Sequence, residues 1–178
     1  MKKITITQDN LQKFIEQPKP EMWDRFEFDP QKSILLYGLT GVGKTTYIQE
    51  LVKFLPRLHP HHRNDYTLIE THDINQAYVK WYGNGMKGEH PLEYKNSYDI
   101  IIDDLGAEPH KVMAYGSEIF ATTDLIVERH KNRNNLFTHI TTNLEPEDIQ
   151  ERYGDRIFSR LGEMCNFVKI IGKDYRLK

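Results

Sequence analysis

The sequence predicts an α/β fold with a parallel central sheet, and three stretches predict it. The first, Gly38-Leu39-Thr40-Gly41-Val42-Gly43-Lys44-Thr45, fits G-x-x-x-x-G-K-[ST]. It follows the apolar run from Ser33 to Tyr37 and precedes a stretch of helical spacing from Thr46 to Leu55, which is the strand–loop–helix setting the motif requires. The second, Tyr98 to Asp104, sets Ile100, Ile101 and Ile102 before Asp103 and Asp104. Consecutive β-branched residues suit a strand buried on both faces, and carboxylates at its C-terminal end lie where ligands of parallel sheets bind. The third, Leu136 to Asn143, is a strand ending in a polar amide.

The chain has 178 residues and a formal charge of -2. That length suits one domain, able to bury about 70% of the surface its unfolded chain exposes. The near-neutral balance excludes a protein that coats nucleic acid by bulk charge, so any such contact should be patchy. Cys165, the single cysteine, has no partner for an internal disulfide and reads as a small core residue in a reducing compartment. No signal peptide and no long apolar run is present, so a soluble, cytoplasmic protein without a membrane role is expected.

Along the chain, residues 1–29 read as a short N-terminal extension and residues 30–178 as the domain proper. In the extension, Asp9 is positioned to cap a helix carrying Leu11, Phe14 and Ile15, ended by Pro18 and Pro20. Trp23, Phe26 and Phe28 read as core anchors or as neighbours of a bound base. In the loop Gly38–Thr45, glycines let backbone N–H groups face inward and ring a phosphate at the positive end of the following helix. Lys44 is then placed for the β- and γ-phosphate oxygens, with the Thr45 hydroxyl as a Mg²⁺ ligand and Thr46 beside it. This is a Walker A motif, and the sequence is that of a P-loop nucleotide-binding protein.

His59, His61 and His62 sit among prolines, where a solvated loop is favoured over a metal site. Thr67 to Thr71 reads as a strand. Asp73 then caps a helix through Ile74, Ala77, Tyr78 and Trp81 that ends at Gly83. From Gly83 to Asn96 the chain reads as a loop, and Lys80 and Lys87 near Trp81 and Tyr82 supply either single-stranded DNA contacts or an ordinary mobile surface. Asp103 and Asp104 form a Walker B pattern. Asp103 suits Mg²⁺ held through water, and Asp104 suits the water that attacks the γ-phosphate, with Glu108 as the alternative base. Gly116 to Arg133 reads as one long helix with Phe120, Thr123 and Val127 on a stripe. Asn143 either senses the γ-phosphate or ends its strand. Glu145 and Pro146 open a helix that Gly154 closes. Asp155 caps the next helix, where Arg156 and Arg160 share one face and Ile157 and Leu161 another. A final strand runs from Asn166 to Ile171.

Three of these stretches, Ile102 to Glu108, Thr138 to Leu144 and Glu151 to Leu161, resemble in order and spacing the DnaC-like helicase loaders and the IstB-like transposition ATPases. Those proteins belong to the AAA+ class, in the clade of the replication initiator DnaA. The resemblance spans about residues 30–178 and implies a five-stranded parallel sheet of order 5-1-4-3-2 with helices on both faces. It implies ATP and Mg²⁺ at the strand ends, with Lys44 and Thr45 in Walker A, Asp103 and Asp104 in Walker B and Asn143 as sensor 1. Arg160 matches the arginine finger, Arg156 its companion, and Arg176 the sensor 2 arginine. His72 to Trp81 matches the helix that lines the DNA path in this clade. The implied partners are single-stranded DNA, a replicative helicase or a transposase, and further copies of the chain joined through nucleotide-bridged interfaces. Only about 30 residues precede the core, where loaders carry a separate helicase-gripping region, and Asp104 stands where the wider class has glutamate. Slow hydrolysis, activated by assembly and DNA, is the expected activity. A nucleotide-gated adaptor with little turnover and a small P-loop kinase are the alternatives.

Overall fold

The computed structural model describes residues 3–16, 28–58, 65–92, 98–109, 111–114 and 116–176. Trp23, Phe26 and the histidines at 59, 61 and 62 lie outside the described residues. The elements run β1 (Lys3–Thr7), α1 (Gln8–Glu16), β2 (Ser33–Tyr37), α2 (Lys44–Leu58), β3 (Tyr66–Glu70), α3 (Thr71–Gly83) and β4 (Asp99–Leu105). After these come β5 (Val112–Ala114), β6 (Ser117–Ile119), α4 (Ala121–Lys131), β7 (Thr138–Thr142), α5 (Pro146–Tyr153), α6 (Asp155–Met164) and β8 (Cys165–Ile171).

The main sheet has six strands in the order β1-β8-β2-β7-β4-β3, and every neighbouring pair is parallel. Five of them stand in the expected order 5-1-4-3-2; the sixth, β1, extends the sheet beyond β8 and comes from the N-terminal extension. It pairs along its whole length, Lys3 opposite Phe167 through Thr7 opposite Ile171. Its alternation, with Ile4 and Ile6 buried and the residues between them exposed, is the period-two pattern of an edge strand. The α1 helix follows at once. Thr7 accepts the Asn10 N–H at 3.3 Å through Oγ1, so Thr7 rather than Asp9 supplies its first-turn acceptor.

Adjacent residues of a strand face opposite ways, which explains why the central strands are apolar throughout. Ile34, Leu36 and Ile101 turn to the face covered by α1 and α2, where Ile48, Leu51 and Leu55 meet them. Leu35, Ile100, Ile102 and Ile140 turn to the face covered by α3, α4, α5 and α6. Cys165 is buried on that second face, and burial pushes its thiol up to about 12. It is a core residue, as expected.

One long element divides. The stretch from Gly116 to Arg133 is not a single helix: Ser117–Ile119 is the second strand of an antiparallel hairpin with Val112–Ala114, and α4 begins at Ala121. Ile119 enters the core from the hairpin, so the helical spacing of Phe120, Thr123 and Val127 held only for the part after it. The α3 helix likewise starts earlier than Asp73, at Thr71.

Candidate nucleotide site

The loop between β2 and α2 turns at Gly41, whose φ of +79° is a left-handed backbone conformation that glycine adopts without steric cost. A side chain there would also meet the Asp174 carboxylate at 1.8 Å. Lys44, the first residue of α2, is 6% exposed. Its ammonium donates to the carbonyls of Gly38 at 3.1 Å and Leu39 at 3.0 Å and to Asn143 Oδ1 at 2.6 Å. Burial lowers its pKa, and the carboxylates of Asp104 and Asp103 oppose the shift while Arg176 adds to it.

Next in the helix, the Thr45 hydroxyl donates to the Asp103 carboxylate, 2.9 Å from Oδ1 and 3.1 Å from Oδ2. Thr141 of β7 donates to the same Oδ1 at 2.5 Å. The P-loop helix, β4 and β7 thereby bring Lys44, Thr45, Asp103 and Asn143 together at the C-terminal edge of the sheet. Asp104 stands beside them with a φ of +53°, and its N–H leaves the ladder to donate to Thr141 Oγ1 at 2.9 Å. The β4–β7 register shifts at this point, between Ile102 and Leu105. A bulge of this kind re-aims a side chain, and here it leaves Asp104 exposed at the mouth of the site.

A cavity of about 320 Å³ opens over this group, lined by Thr40, Gly41, Gly43, Lys44, Thr45 and Thr46 and closed by Asp104, Asn143, Tyr175 and Arg176. Its donor set fits a nucleotide phosphate chain with Mg²⁺. The ammonium suits phosphate oxygens, and a hydroxyl beside a carboxylate supplies the hard oxygen ligands that Mg²⁺ takes along with water and phosphate. Among the described residues no group of three or more histidines, cysteines or carboxylates is gathered to hold a metal by itself.

Glu108 is placed differently. It is 4% exposed; one carboxylate oxygen accepts the Gly106 N–H at 2.9 Å and the other accepts the Tyr153 hydroxyl. It ties the turn after β4 to α5 and does not line the cavity. Arg156 and Arg160 also stand off it, on α6, with Arg156 exposed and Arg160 half-buried. In the last turn of α3, Trp81 packs edge-on against Tyr82, and against His90 from the loop that follows, at 5.4 and 4.6 Å between ring centres. Those aromatics are engaged with one another. The residue that sequence reasoning missed is Gln8, which reaches the P-loop from α1 and belongs to no motif.

No family model matches the sequence, and no curated protein matches it. Similarity appears among solved structures. A crystal structure of the DnaC helicase loader is 20% identical, with a TM-score of 0.56 over 91% of this chain and 86% of that one. Domain III of the Thermotoga maritima replication initiation protein DnaA is 16% identical, with a TM-score of 0.53 over 93% of this chain and 60% of that one. A replication initiator DnaA bound to AMPPCP and single-stranded DNA is 17% identical, with a TM-score of 0.51 over 92% of this chain. This chain covers 44% of that initiator's length. The fold is AAA+. Five of the strands stand in the order expected for such a fold, and the cavity lies at their C-terminal ends. Among the described residues no helix is long and apolar enough to cross a membrane.

Proposed function

We propose that this protein binds and hydrolyses ATP as an oligomer and acts on single-stranded DNA, in helicase loading during replication or in mobile-element transposition. The observation that carries the reading is the meeting of three segments at one point: Thr45 of α2 lies 2.9 Å from Asp103 of β4, and Lys44 lies 2.6 Å from Asn143, the residue that follows β7. A structural ion-pair network has no need of a glycine-rich loop in front of it. The initiator structure bound to AMPPCP and single-stranded DNA supports the ligand classes.

In this reading the P-loop amides and Lys44 bind and orient the phosphates, and Asn143 reports on the γ-phosphate through the same ammonium. Thr45 and Asp103 would hold Mg²⁺, which would supply neutralisation of the developing phosphate charge. Asp104 orients the attacking water and accepts its proton, because its carboxylate opens to the cavity while Glu108 is committed to Gly106 and Tyr153. Arg160, with Arg156 beside it, reaches the γ-phosphate of a neighbouring copy, and Arg176 closes the site from its own chain.

The nucleotide-gated adaptor stands as the second reading, since among the described residues Asp104 is the only carboxylate lining the cavity and has a shorter side chain than glutamate. ATP turnover per protomer, measured against protein concentration with and without single-stranded DNA, separates the two. Specific activity that climbs with concentration and again with DNA supports the shared-site ATPase. Tight binding with flat, negligible turnover supports the adaptor.

A further inference from the structure

Glutamine is ordinarily a solvated residue, yet Gln8, the first residue of α1, is 7% exposed. Its carboxamide is spent on backbone from two distant parts of the chain. Nε2 donates to the Val42 carbonyl of the P-loop at 2.9 Å and to the Lys173 carbonyl at 3.0 Å. Oε1 accepts the Lys173 N–H at 2.8 Å. Both amide protons are therefore used, and the group is fixed in one orientation rather than free to read a ligand. Gly172 makes the room: a side chain there would sit 1.9 Å from the Gln8 carboxamide.

Beyond Lys173 the chain lies directly over the P-loop. The Tyr175 N–H donates to the Gly41 carbonyl at 3.0 Å, and the Tyr175 and Tyr47 hydroxyls are 3.3 Å apart. Asp174 occupies the space that a side chain at Gly41 would take, and its Oδ1 accepts the Arg176 N–H at 2.8 Å. Tyr175 and Arg176 then close one wall of the cavity. Gln8 holds both the loop and this wall, and removing it takes away a partner of the Val42 carbonyl and of both backbone groups of Lys173.

We propose that Gln8 is a positioning residue of the nucleotide site: a latch on the N-terminal β1–α1 unit that holds segment 172–176, and with it Tyr175 and Arg176, against the P-loop. The effect on ligand rests on the nucleotide reading given above. Coupling of this kind is reciprocal, so nucleotide that stiffens the wall also stiffens β1–α1, and a pull on β1–α1 loosens nucleotide.

The test is a double-mutant cycle in the full chain with a fluorescent ATP analogue as the probe. Gln8→Ala should weaken binding about tenfold, the size expected for losing buried hydrogen bonds. Arg176→Ala should weaken it in the otherwise unchanged chain and add less than about twofold to Gln8→Ala, because the latch acts through that wall. Amide exchange at 173–176 should rise in Gln8→Ala while exchange at 138–142 stays as it was. Gln8→Glu, which keeps the shape but faces two carbonyls with an acceptor, should behave like Gln8→Ala and serves if the alanine variant fails to fold. Fully multiplicative losses, or unchanged exchange at 173–176, overturn the latch. If the unsubstituted protein binds no analogue, the nucleotide reading fails by itself, and the exchange measurement still decides the latch.

Discussion

The two ends of the parallel sheet are both rich in buried polar groups, and they use them in opposite ways. At the N-terminal ends of the strands nearly every bond stops on backbone. Arg129, fully buried, donates to the carbonyls of Tyr98 at 2.9 Å and Phe137 at 2.5 Å and to Thr138 Oγ1 at 2.7 Å. The Asp99 carboxylate accepts the Phe137 N–H at 2.9 Å, Ser33 Oγ accepts the Thr138 N–H at 2.7 Å, and His139 Nδ1 accepts the Ile34 N–H at 3.2 Å. At the C-terminal ends Lys44 also reaches the Gly38 and Leu39 carbonyls, but what sets this end apart is a run of bonds between side chains: Lys44 to Asn143, Thr45 to Asp103, Thr141 to Asp103. A bond from side chain to backbone fixes strand register. A bond between two side chains can be exchanged for a bond to a ligand without disturbing the ladder. One end is a lock, and the other is a set of sockets.

The largest effect should come from a residue outside the cavity. Arg160→Ala should lower ATP turnover by about 10³-fold or more while ATP affinity changes little, as read by steady-state hydrolysis beside a binding titration. Turnover equal to the parent's would mean that the sockets are complete within one chain. At the locked end, Arg129→Leu should cost about 3 kcal/mol of stability, since it leaves buried acceptors and the nearby Asp99 charge uncompensated. Urea unfolding gives that number. A matching loss of nucleotide affinity in the still-folded variant would show that the two ends are not separate.

Asp104→Asn should reduce turnover about a hundredfold through loss of the carboxylate. Its stability should stay within about 0.5 kcal/mol of the parent, because asparagine also tolerates the left-handed backbone seen at 104. Melting and hydrolysis measured on the same sample test both halves. The smallest effect is one of pH. Burial lowers the pKa of Lys44 below the ordinary 10.5, so ATP affinity should be level near neutrality and begin to fall with rising pH before that value. The same shift means the unfolded chain holds this proton more tightly than the folded one, so the contribution of Lys44 to stability rises with pH over that window. Affinity and stability should move in opposite directions there, and Lys44→Ala should remove both slopes.

How much of this was legible in the sequence follows the same division. The P-loop, the strand from Ile100 to Asp104 and the amide at Asn143 could be read because their chemistry requires particular residues at short fixed spacings. Two central strands, β2 and β4, announced themselves through the unbroken apolar runs Ile34 to Tyr37 and Ile100 to Ile102. The hairpin of β5 and β6 did not, because Ile119 lies next to a helical repeat and a three-residue strand is too short to show a period of its own. Glu108 looked free in the sequence because nothing local predicts the Tyr153 hydroxyl, 45 positions away. Gln8 gave no signal at all: its partners are Val42 and Lys173, and a glutamine bonded to backbone leaves no pattern in the residues it touches.

The pairing of β1 with β8 joins residues 3–7 to residues 167–171, and that has a consequence for how the protein is made. On the ribosome, the first strand emerges with Ile4 and Ile6 uncovered and has no sheet neighbour until the last strand has left the exit tunnel. At about 5–20 residues per second, that interval lasts on the order of ten seconds. Contacts of such long range form late and slow the final step of folding. Strands β2, β3, β4 and β7 are therefore free to pair before this edge forms, while Ile4 and Ile6 wait for β8.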